Sequence, residues 1–355
     1  MLFNYRYVQH PIETFQTYLD HLVKQVWCTP ADTFHVNLLH PGLRDIVMDI
    51  YNTDEDEPKG KIKDWLFGPI KEIFEIFLNQ LTQLQRQQIA TWYDHNNNIE
   101  ALCSGAAGSS PVTYDEIGTI NAALADKLKA FCTSLFTNVI GLKAVTSRLG
   151  EIDQHYDAFA AQNKEGVCPY CGYGPIKGVY HSKRDAYDHF LPKGTYPFNS
   201  VNFQNLAPMC HDCNSSYKLE KDPIRTGGGA RRKAFYSYST LPSGIVISMV
   251  LASKNVAELQ PNEIDLKLSA DGREEEVLGW KDIFGIEERY KAKLCTESDG
   301  RAWLMRIVDE GPCSRGWNRE DALTYELSCA DRLPFSDANF LKKPFLVACK
   351  AAGIL

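Results

Sequence analysis

The sequence predicts an α+β protein that is mainly helical and carries a small metal-binding module near its middle. Three observations support this prediction. Through much of the first 160 residues, apolar residues recur at three-and-four spacing, the period of one buried helical face. Two identical Cys-x-x-Cys pairs follow, and short alternating segments separated by turns come after them. With 355 residues, the chain is long enough for two or three domains.

The region before the first cysteine pair is expected to be helical, and residues 69–94 have the clearest pattern. The predicted buried face of that helix consists of Ile70, Ile73, Phe74, Phe77, Leu78, Leu81, Leu84 and Trp92. Residues 105–111 are rich in Gly and Ser and predict a loop. Thr113 and Glu116 then form a capping box that begins another helix, and a turn near Gly141 is expected to interrupt it.

The region after the second cysteine pair has mixed character. Residues 226–233 combine three glycines with three basic residues, which predicts a loop or hinge that carries charge suited to phosphate. Alternating patterns predict short strands at 235–238, 245–251 and 264–268, with a turn at 270–272. Helical patterns return at 280–294 and 318–333.

The composition is that of an ordinary globular protein, with 44% hydrophobic and 23% charged residues. It excludes wholesale disorder and a collagen-like chain. No stretch approaches the roughly 18 consecutive apolar residues of a membrane span, and the first ten residues lack a signal-peptide pattern. We therefore expect a cytoplasmic protein without a membrane partner. The acidic run at 54–57 has no periodicity that would focus its carboxylates, so a solvated loop is predicted there.

Charge is unevenly distributed along the chain. The net charge is -7, yet residues 177–233 contain ten Lys or Arg against five Asp or Glu. A basic segment inside an acidic protein favours a localised site for a polyanion such as nucleic acid. The alternative is a solvated face on which basic residues cluster by chance.

Four of the eleven cysteines form the two pairs, Cys168 with Cys171 and Cys210 with Cys213. In a reducing compartment such pairs indicate metal binding rather than disulfides, and two Cys-x-x-Cys turns complete the four-sulfur site that zinc prefers. We therefore predict a structural zinc ion, Zn2+, held by these four residues. A redox pair is the alternative, and His181 or His211 is an alternative ligand in place of one cysteine.

The residues between and beside these pairs form a recognisable order. Asp188 and His189 lie between the pairs, Asn205 precedes the second pair, and Asn214 directly follows it. Over about residues 168–218, this arrangement resembles the HNH nucleases of the ββα-metal class. In that family an Asp-His pair ends one strand, an Asn begins the next, and an Asn or His lies on the following helix. The resemblance implies an embedded, zinc-stabilised ββα-metal (HNH) nuclease module.

The resemblance also implies roles for individual residues. His189 would be the general base that deprotonates the attacking water, and Asn205 would hold the hairpin loop and orient His189. Asp188 and Asn214 would ligate a catalytic divalent cation, Mg2+ or Mn2+. The residue types suit this chemistry, because imidazole titrates near neutral pH and oxygen ligands favour hard cations. The expected activity is hydrolysis of phosphodiester bonds in DNA, with 5′-phosphate and 3′-hydroxyl products.

Several basic residues near the module are candidates for contacts with the nucleic-acid backbone. These candidates are Arg184, Lys193, Lys218, Arg231 and Arg232. For each of them, a solvated side chain without a nucleic-acid contact is the alternative.

A narrower resemblance concerns the amino-acid sequence around Asp188, Pro197 and Asn214. It is similar to HNH proteins of bacterial antiphage defence operons, especially the nuclease subunit of Septu-type systems, which act beside an ABC-type ATPase partner. This chain has no GxxxxGK[ST] phosphate loop, so any nucleotide dependence would come from that partner.

We divide the chain into a helical region at 1–160 for docking or regulation, the nuclease module at 161–225 and a mixed α/β region at 226–355. Two alternatives to a DNA nuclease remain at this stage. One is a zinc-stabilised module that binds nucleic acid or protein without cutting, and the other is an HNH ribonuclease acting on tRNA.

Overall fold

The structure is a computed structural model that describes residues 1–53, 65–310 and 315–355. The acidic run at 54–57, for which a solvated loop was predicted, lies outside the described residues. The described part of the chain is mainly helical and contains two small antiparallel sheets, which confirms the predicted α+β class.

Helices make up most of the fold. The α-helices are α1 (Thr14–His21), α2 (Pro41–Thr53), α3 (Phe67–Gln80), α4 (Gln83–Asn97), α5 (Ile99–Ser104), α6 (Tyr114–Ile120), α7 (Ala122–Ser134), α8 (Lys143–Leu149), α9 (Ile152–Gln162), α10 (Glu274–Phe284), α11 (Ile286–Leu294), α12 (Ala302–Met305), α13 (Arg319–Arg332) and α14 (Asn339–Ala351). Wider π-type segments are Leu22–Trp27, Leu135–Val139, Asp212–Lys218, Glu297–Arg301 and Arg306–Glu310. Short 3₁₀ turns are Pro11–Glu13, Val36–Leu38, Phe203–Asn205, Val256–Glu258, Pro261–Glu263 and Ser336–Ala338.

Each sheet consists of two antiparallel strands. Strand β1 (Tyr187–His189) pairs with β2 (Leu206–Pro208), so that Asp188 lies opposite Ala207. Strand β3 (Val246–Leu251) pairs with β4 (Ile264–Ser269), which confirms the strands predicted at 245–251 and 264–268. No strand forms at 235–238, where the alternating pattern predicted one. The aromatic side chains there are held instead by contacts such as the hydrogen bond from the Tyr238 hydroxyl to the Leu206 carbonyl, at 2.5 Å.

The single helix predicted at 69–94 is two helices, α3 and α4. Thr82 separates them, because its hydroxyl accepts a hydrogen bond from the Gln85 amide while the Gln85 side chain accepts one from the Thr82 amide. Because α4 begins separately after Thr82, a different set of its side chains faces the core. Leu84, predicted to be buried, is 77% exposed, and Ile89 and Tyr93 are buried instead.

One other expectation in the C-terminal half needs correction. The helix predicted at 280–294 is divided between α10 and α11 by Gly285, whose φ of 57° lies in the left-handed region. Residues 226–233, predicted to be a loop or hinge, contain a turn that is closed by a backbone hydrogen bond of 2.8 Å between Thr226 and Ala230 and flanked by an antiparallel bridge between Arg225 and Arg231. The capping box at Thr113 is confirmed.

Two buried hydrophobic clusters meet at the predicted nuclease module. The first joins the helices before residue 160 to side chains around the β1–β2 hairpin, including Tyr187, Phe203 and Leu206. The second joins the four paired cysteines to side chains such as Trp280 and Tyr290 of α10 and α11. The central segment is therefore held between helical layers from both ends of the chain.

In the part of the chain that the structure describes, no single helix is long and apolar enough to cross a membrane. The stretches Ala122–Val139 and Lys143–Gln162 reach that length and hydropathy only as a pair, which is bent by 71°.

Candidate active site and metal centre

The two cysteine pairs come together in space. Cys168, Cys171, Cys210 and Cys213 are all buried, and their sulfur atoms all lie within 4.8 Å of one another. The Cys171 and Cys210 sulfurs are 3.8 Å apart. A tetrahedral zinc site with metal–sulfur distances of about 2.3 Å has sulfurs roughly 3.8 Å apart, so the arrangement fits zinc.

Local backbone geometry creates this cluster. Val167 and Pro175 form an antiparallel bridge, and the Gly174 amide donates a hydrogen bond of 3.2 Å to the Cys171 sulfur. A Cβ atom at Gly174 would lie 2.5 Å from the Cys210 sulfur. Glycine at this position thus allows the first turn to approach the second pair closely.

The cluster does not need a histidine ligand. His211 has a side chain that is 84% exposed, and His181 is also exposed. Among the described residues, the four cysteines are the one group of His, Cys, Asp or Glu with ligand atoms close enough to share an ion. The alternative in which a histidine replaces a cysteine is therefore wrong.

Sharing of protons among the sulfurs prepares the site for a cation. Hydrogen bonds from neighbouring thiols, chiefly that of Cys168, lower the pKa of Cys171 and Cys210. Burial raises the pKa of Cys168 well above its usual value. A thiolate is the form that binds zinc, and a bound cation would favour it at all four positions.

Arg289 contacts the four-cysteine cluster, which the sequence pattern did not reveal. It lies on α11, is buried, and donates a hydrogen bond of 3.2 Å from Nη1 to the Cys213 sulfur. Its guanidinium also stacks on Tyr217, 4.5 Å from the ring centre. Four thiolates around a divalent ion carry a net negative charge, which this buried guanidinium compensates. Nothing in the spacing around residue 289 distinguishes it from a surface arginine of an amphipathic helix.

We expect Arg289→Met to weaken zinc binding by about 10- to 100-fold, because contacts that support metal ligands contribute effects of this size. The measurement is a competition titration with a chromogenic chelator. Arg301→Met is the matched control, since Arg301 is exposed and pairs with Glu297 four residues earlier. Equal zinc affinity in wild type and Arg289→Met would contradict the assigned role.

The second part of the site is the β1–β2 hairpin and the helical segment after it. Asp188 and His189 end β1, β2 follows, and Asn214 lies on Asp212–Lys218. The order is thus strand, strand and helix, with the cysteine cluster joining its ends. His155 of α9 supports the hairpin from behind, with its Nδ1 2.5 Å from the Tyr187 hydroxyl.

His189 has a defined orientation. Its Nε2 lies 2.8 Å from the Ser200 carbonyl oxygen, which can only accept, so Nε2 carries the proton and Nδ1 is left as an acceptor. Burial, together with the positive charge of Lys193, lowers its pKa to about 3. The ring is 9% exposed and meets the edge of Phe136 at 4.5 Å between centres. The imidazole is therefore neutral and oriented. The residue type alone predicts a pKa near neutrality, and burial with the adjacent positive charge instead makes this imidazole a weaker base.

Asn205 clamps the loop that follows His189. Its Oδ1 accepts a hydrogen bond of 2.8 Å from the Leu191 amide, and its Nδ2 donates one of 3.0 Å to the Leu191 carbonyl. The Asn205 carbonyl accepts a further bond from the Phe190 amide. Asn205 is completely buried, so these bonds face no competition from water.

Asp188 forms a buried ion pair with Lys218. The carboxylate is 5% exposed, and the Lys218 Nζ lies 3.2 Å from Oδ1 and 2.9 Å from Oδ2. Burial raises the pKa of Asp188, and the nearby ammonium counteracts part of that rise. Asn214 is half-buried one helical turn before Lys218, which places both residues on the same side of the segment.

The structure assigns internal partners to most residues that were predicted to contact phosphate. Lys218 is fully buried, so its predicted contact with a nucleic-acid backbone is wrong for this conformation. Arg232 donates to the Pro223 and Asp222 carbonyls and pairs with Asp282. These bonds occupy the Arg232 guanidinium with partners inside the protein rather than with a phosphate.

Three of the residues predicted to contact phosphate lie near the surface. Arg184 is part-exposed and pairs with Asp153 of α9 at 2.5 Å. Arg231 is exposed, although its guanidinium donates to the Ile224 and Leu102 carbonyls. Lys193 is half-buried beside His189 and lies over the Phe136 ring, 4.9 Å from its centre. Of these three, Lys193 is the one whose charge lowers the pKa of His189, an effect that the buried Lys218 shares to a smaller extent.

Two known proteins share local similarity with this chain. One is the "Septu protein PtuB" of Bacillus thuringiensis, 40% identical over 57 residues that cover 15% of this chain and 22% of that protein. The other is "Protein ea31" of Escherichia phage lambda, 40% identical over 65 residues, or 18% of this chain and 19% of that protein. The chain therefore covers about a fifth of each relative. No family model matches it, and no solved structure is similar to it.

The first of these similarities agrees with the resemblance to Septu-type proteins noted in the sequence. The four-cysteine cluster, for its part, supports metal binding by this protein. The similarity is local, so the activity, substrate and partners of the whole chain are proposals.

Proposed function

We propose that this protein is a metal-dependent HNH endonuclease that hydrolyses phosphodiester bonds of DNA. The observation that carries the proposal is the state of His189. A neutral imidazole, held by its Nε2 at the Ser200 carbonyl and next to Asp188 at the end of β1, has Nδ1 available as a base. Hydrolysis of a phosphodiester requires such a group to take a proton from water.

The remaining side chains have supporting roles in this proposal. Asn205 fixes the loop after His189, which limits the motion of the base. Lys193 lies half-buried over the Phe136 ring, which also contacts His189, and its ammonium is suited to hold a substrate phosphate. The cysteine cluster, once loaded with zinc, would brace the hairpin and the following segment.

The proposed catalytic cation is Mg2+ or Mn2+, and Asp188 and Asn214 would hold it. Its chemistry, when bound, is to stabilise negative charge that develops on the phosphate and the leaving oxygen. The donor types fit a hard cation, since they are one carboxylate and one amide. The described arrangement fits less well, because Asp188 is already paired with Lys218.

That ion pair is the observation that favours a second candidate function. If Lys218 permanently occupies Asp188, the protein would be a zinc-stabilised module that binds nucleic acid or protein without cutting. His189 opposes this alternative, since a binding module has no need for a buried, oriented and unprotonated imidazole.

We further propose that the nuclease serves antiphage defence together with an ABC-type ATPase partner. The local similarity to the Septu protein of Bacillus thuringiensis supports this assignment. The helices before residue 160, which build the wall around Phe136 and His189, are the proposed docking or regulatory region.

The test is a cleavage assay of the purified full chain with plasmid DNA, single-stranded DNA and tRNA. Each substrate is incubated with Mg2+, with Mn2+ or with EDTA, in the presence and absence of the product of the adjacent gene. We expect DNA cleavage that depends on the divalent cation. Cleavage of tRNA alone would identify a ribonuclease instead, and binding without cleavage under every condition would favour the second candidate.

A further inference from the structure

Lys218 is placed as an internal counter-ion rather than as a surface lysine. Its ammonium has three oxygen neighbours, namely Asp188 Oδ1 at 3.2 Å, Asp188 Oδ2 at 2.9 Å and the His189 carbonyl at 3.0 Å. The contact with Oδ2 is an ion pair without hydrogen-bond geometry. The side chain is 0% exposed, so water does not replace these partners.

The fold brings this lysine to the predicted catalytic residues. The segment Asp212–Lys218 begins within the second cysteine pair, contains Cys213, and is followed by Leu219, whose φ is 51°. Lys218 is thus the last residue of the segment that also carries Asn214. The ammonium bridges the Asp188 carboxylate and the backbone of His189, and therefore reaches both residues at the end of β1.

A divalent cation at Asp188 would face this ammonium at close range. Both carboxylate oxygens are already within 3.2 Å of Nζ, and like charges that share a buried carboxylate repel strongly because little water screens them. Conversely, a buried carboxylate without any cation nearby is strongly unfavourable. The buried Asp188 carboxylate is therefore stable when one cation lies beside it, and the protein is destabilised when no cation or two cations lie there.

We propose that Lys218 is a resident cation that occupies Asp188 in the metal-free protein, and that a divalent cation binds there in exchange for it. The inference rests on the proposed function, which supplies the reason for a cation at Asp188. The lysine keeps the site folded when no metal is bound, and its departure is part of the cost of metal binding.

The exchange couples binding of the divalent cation to binding of nucleic acid. Once displaced, the ammonium needs another anionic partner, and a substrate phosphate is the anion that the proposed reaction brings to this site. The divalent cation should therefore bind more tightly when nucleic acid is present, and by linkage nucleic acid should bind more tightly when the cation is present. This would keep the nuclease low in activity without substrate.

The decisive variant is Lys218→Met, which keeps the length of the side chain and removes its charge. In the zinc-loaded protein, we expect it to bind Mn2+ at least about tenfold more tightly than wild type, as measured by electron paramagnetic resonance of free Mn2+. Its melting temperature should be lower than that of wild type without Mn2+ and should rise more steeply as Mn2+ is added. Lys221→Met is the matched control, because Lys221 is exposed three residues later.

A measurement on the wild type covers the case in which Lys218→Met does not fold. Amine-reactive labelling followed by mass spectrometry should leave Lys218 unmodified in the metal-free protein and modify it at saturating Mn2+ without nucleic acid, because a bound phosphate would shield the displaced ammonium. Lys221 serves as the exposed internal reference in both states. The double variant Asp188→Asn with Lys218→Met should fold as an uncharged pair and lose the tight Mn2+ binding of Lys218→Met.

The outcomes separate this inference from the proposed function. Mn2+ affinity in Lys218→Met that is equal to or weaker than in wild type overturns the exchange, as does a Lys218 that stays protected at saturating Mn2+ without nucleic acid. Tight Mn2+ binding that depends on Asp188, without cleavage of any nucleic acid, supports the exchange and overturns the nuclease. Absence of Mn2+ binding in both wild type and a folded Lys218→Met overturns both.

Discussion

Replacing His189 with alanine is expected to slow nucleic-acid cleavage by a factor of about 10² to 10⁴, the usual contribution of a general base. The physical reason is the loss of the only acceptor nitrogen that the Ser200 contact leaves on this ring. The measurement is a single-turnover cleavage assay with saturating Mg2+ or Mn2+. Because each enzyme molecule reacts only once in this assay, the observed rate reports the chemical step rather than product release.

The controls for this prediction separate chemistry from folding. His181→Ala removes an exposed imidazole of the same module, whose ring bonds to the backbone of Gly178, and should cut at the wild-type rate. His189→Ala leaves the buried Ser200 carbonyl without its donor, which costs about 1–3 kcal/mol of stability, but zinc content should be unchanged. If a zinc-loaded, folded His189→Ala cuts as fast as wild type, another group is the base.

Cys210→Ser is expected to remove the zinc ion and to lower the free energy of unfolding by several kcal/mol, on the order of 5 kcal/mol. The cause is the loss of one of four sulfurs that lie within 4.8 Å of one another and join the two ends of the module. Metal content is measured by mass spectrometry of the purified protein. Stability is measured by urea unfolding in the presence and absence of a zinc chelator.

A second cysteine provides the matched control for that experiment. Cys103 is equally buried in the same hydrophobic cluster but lies outside the four-sulfur group. Cys103→Ser should cost about 1–3 kcal/mol for a buried hydroxyl and leave the zinc in place. The chelator should destabilise wild type and Cys103→Ser alike and should have little further effect on Cys210→Ser. A Cys210→Ser protein that keeps its zinc and its wild-type unfolding midpoint would refute the structural role of the cluster.

The two results together test the halves of the site independently. His189 acts on the reaction and is predicted to leave zinc content unchanged, whereas Cys210 acts on the fold and should reduce activity only by unfolding the module. Loss of zinc in His189→Ala would mean that the hairpin and the cysteine cluster form one cooperative unit. That unit would then include the helices of both halves of the chain, since both pack on the module.

Features that depend on near neighbours in the chain could be predicted from the sequence. The two Cys-x-x-Cys turns have a spacing that makes their sulfurs converge, and the capping box at Thr113 is a local hydrogen-bond pattern. The strands at 245–251 and 264–268 also follow from alternation and turns. The break at Thr82 was missed because an apolar period continues across it, while the competing capping bonds decide the geometry.

Features that depend on distant partners could not be predicted in this way. Lys218 has the surroundings of a phosphate-binding lysine in the sequence, and only its contact with Asp188, 30 residues earlier, makes it a buried counter-ion. Arg289 lies 76 residues beyond Cys213, so no local pattern connects the guanidinium to the sulfur. Arg232 was a candidate for nucleic-acid contact, yet the Asp282 carboxylate and two backbone carbonyls take up its charge.

By itself, the sequence determined the fold class, the four-cysteine cluster and the order of the candidate catalytic residues, because spacing along the chain decides which groups can share a turn or a strand. Only the tertiary structure decided which charges are free. The side chains of Lys218, Arg232 and Arg289 carry the same formal charge in any surroundings, but burial and the oxygen or sulfur atoms around them decide whether that charge faces a substrate or the protein itself.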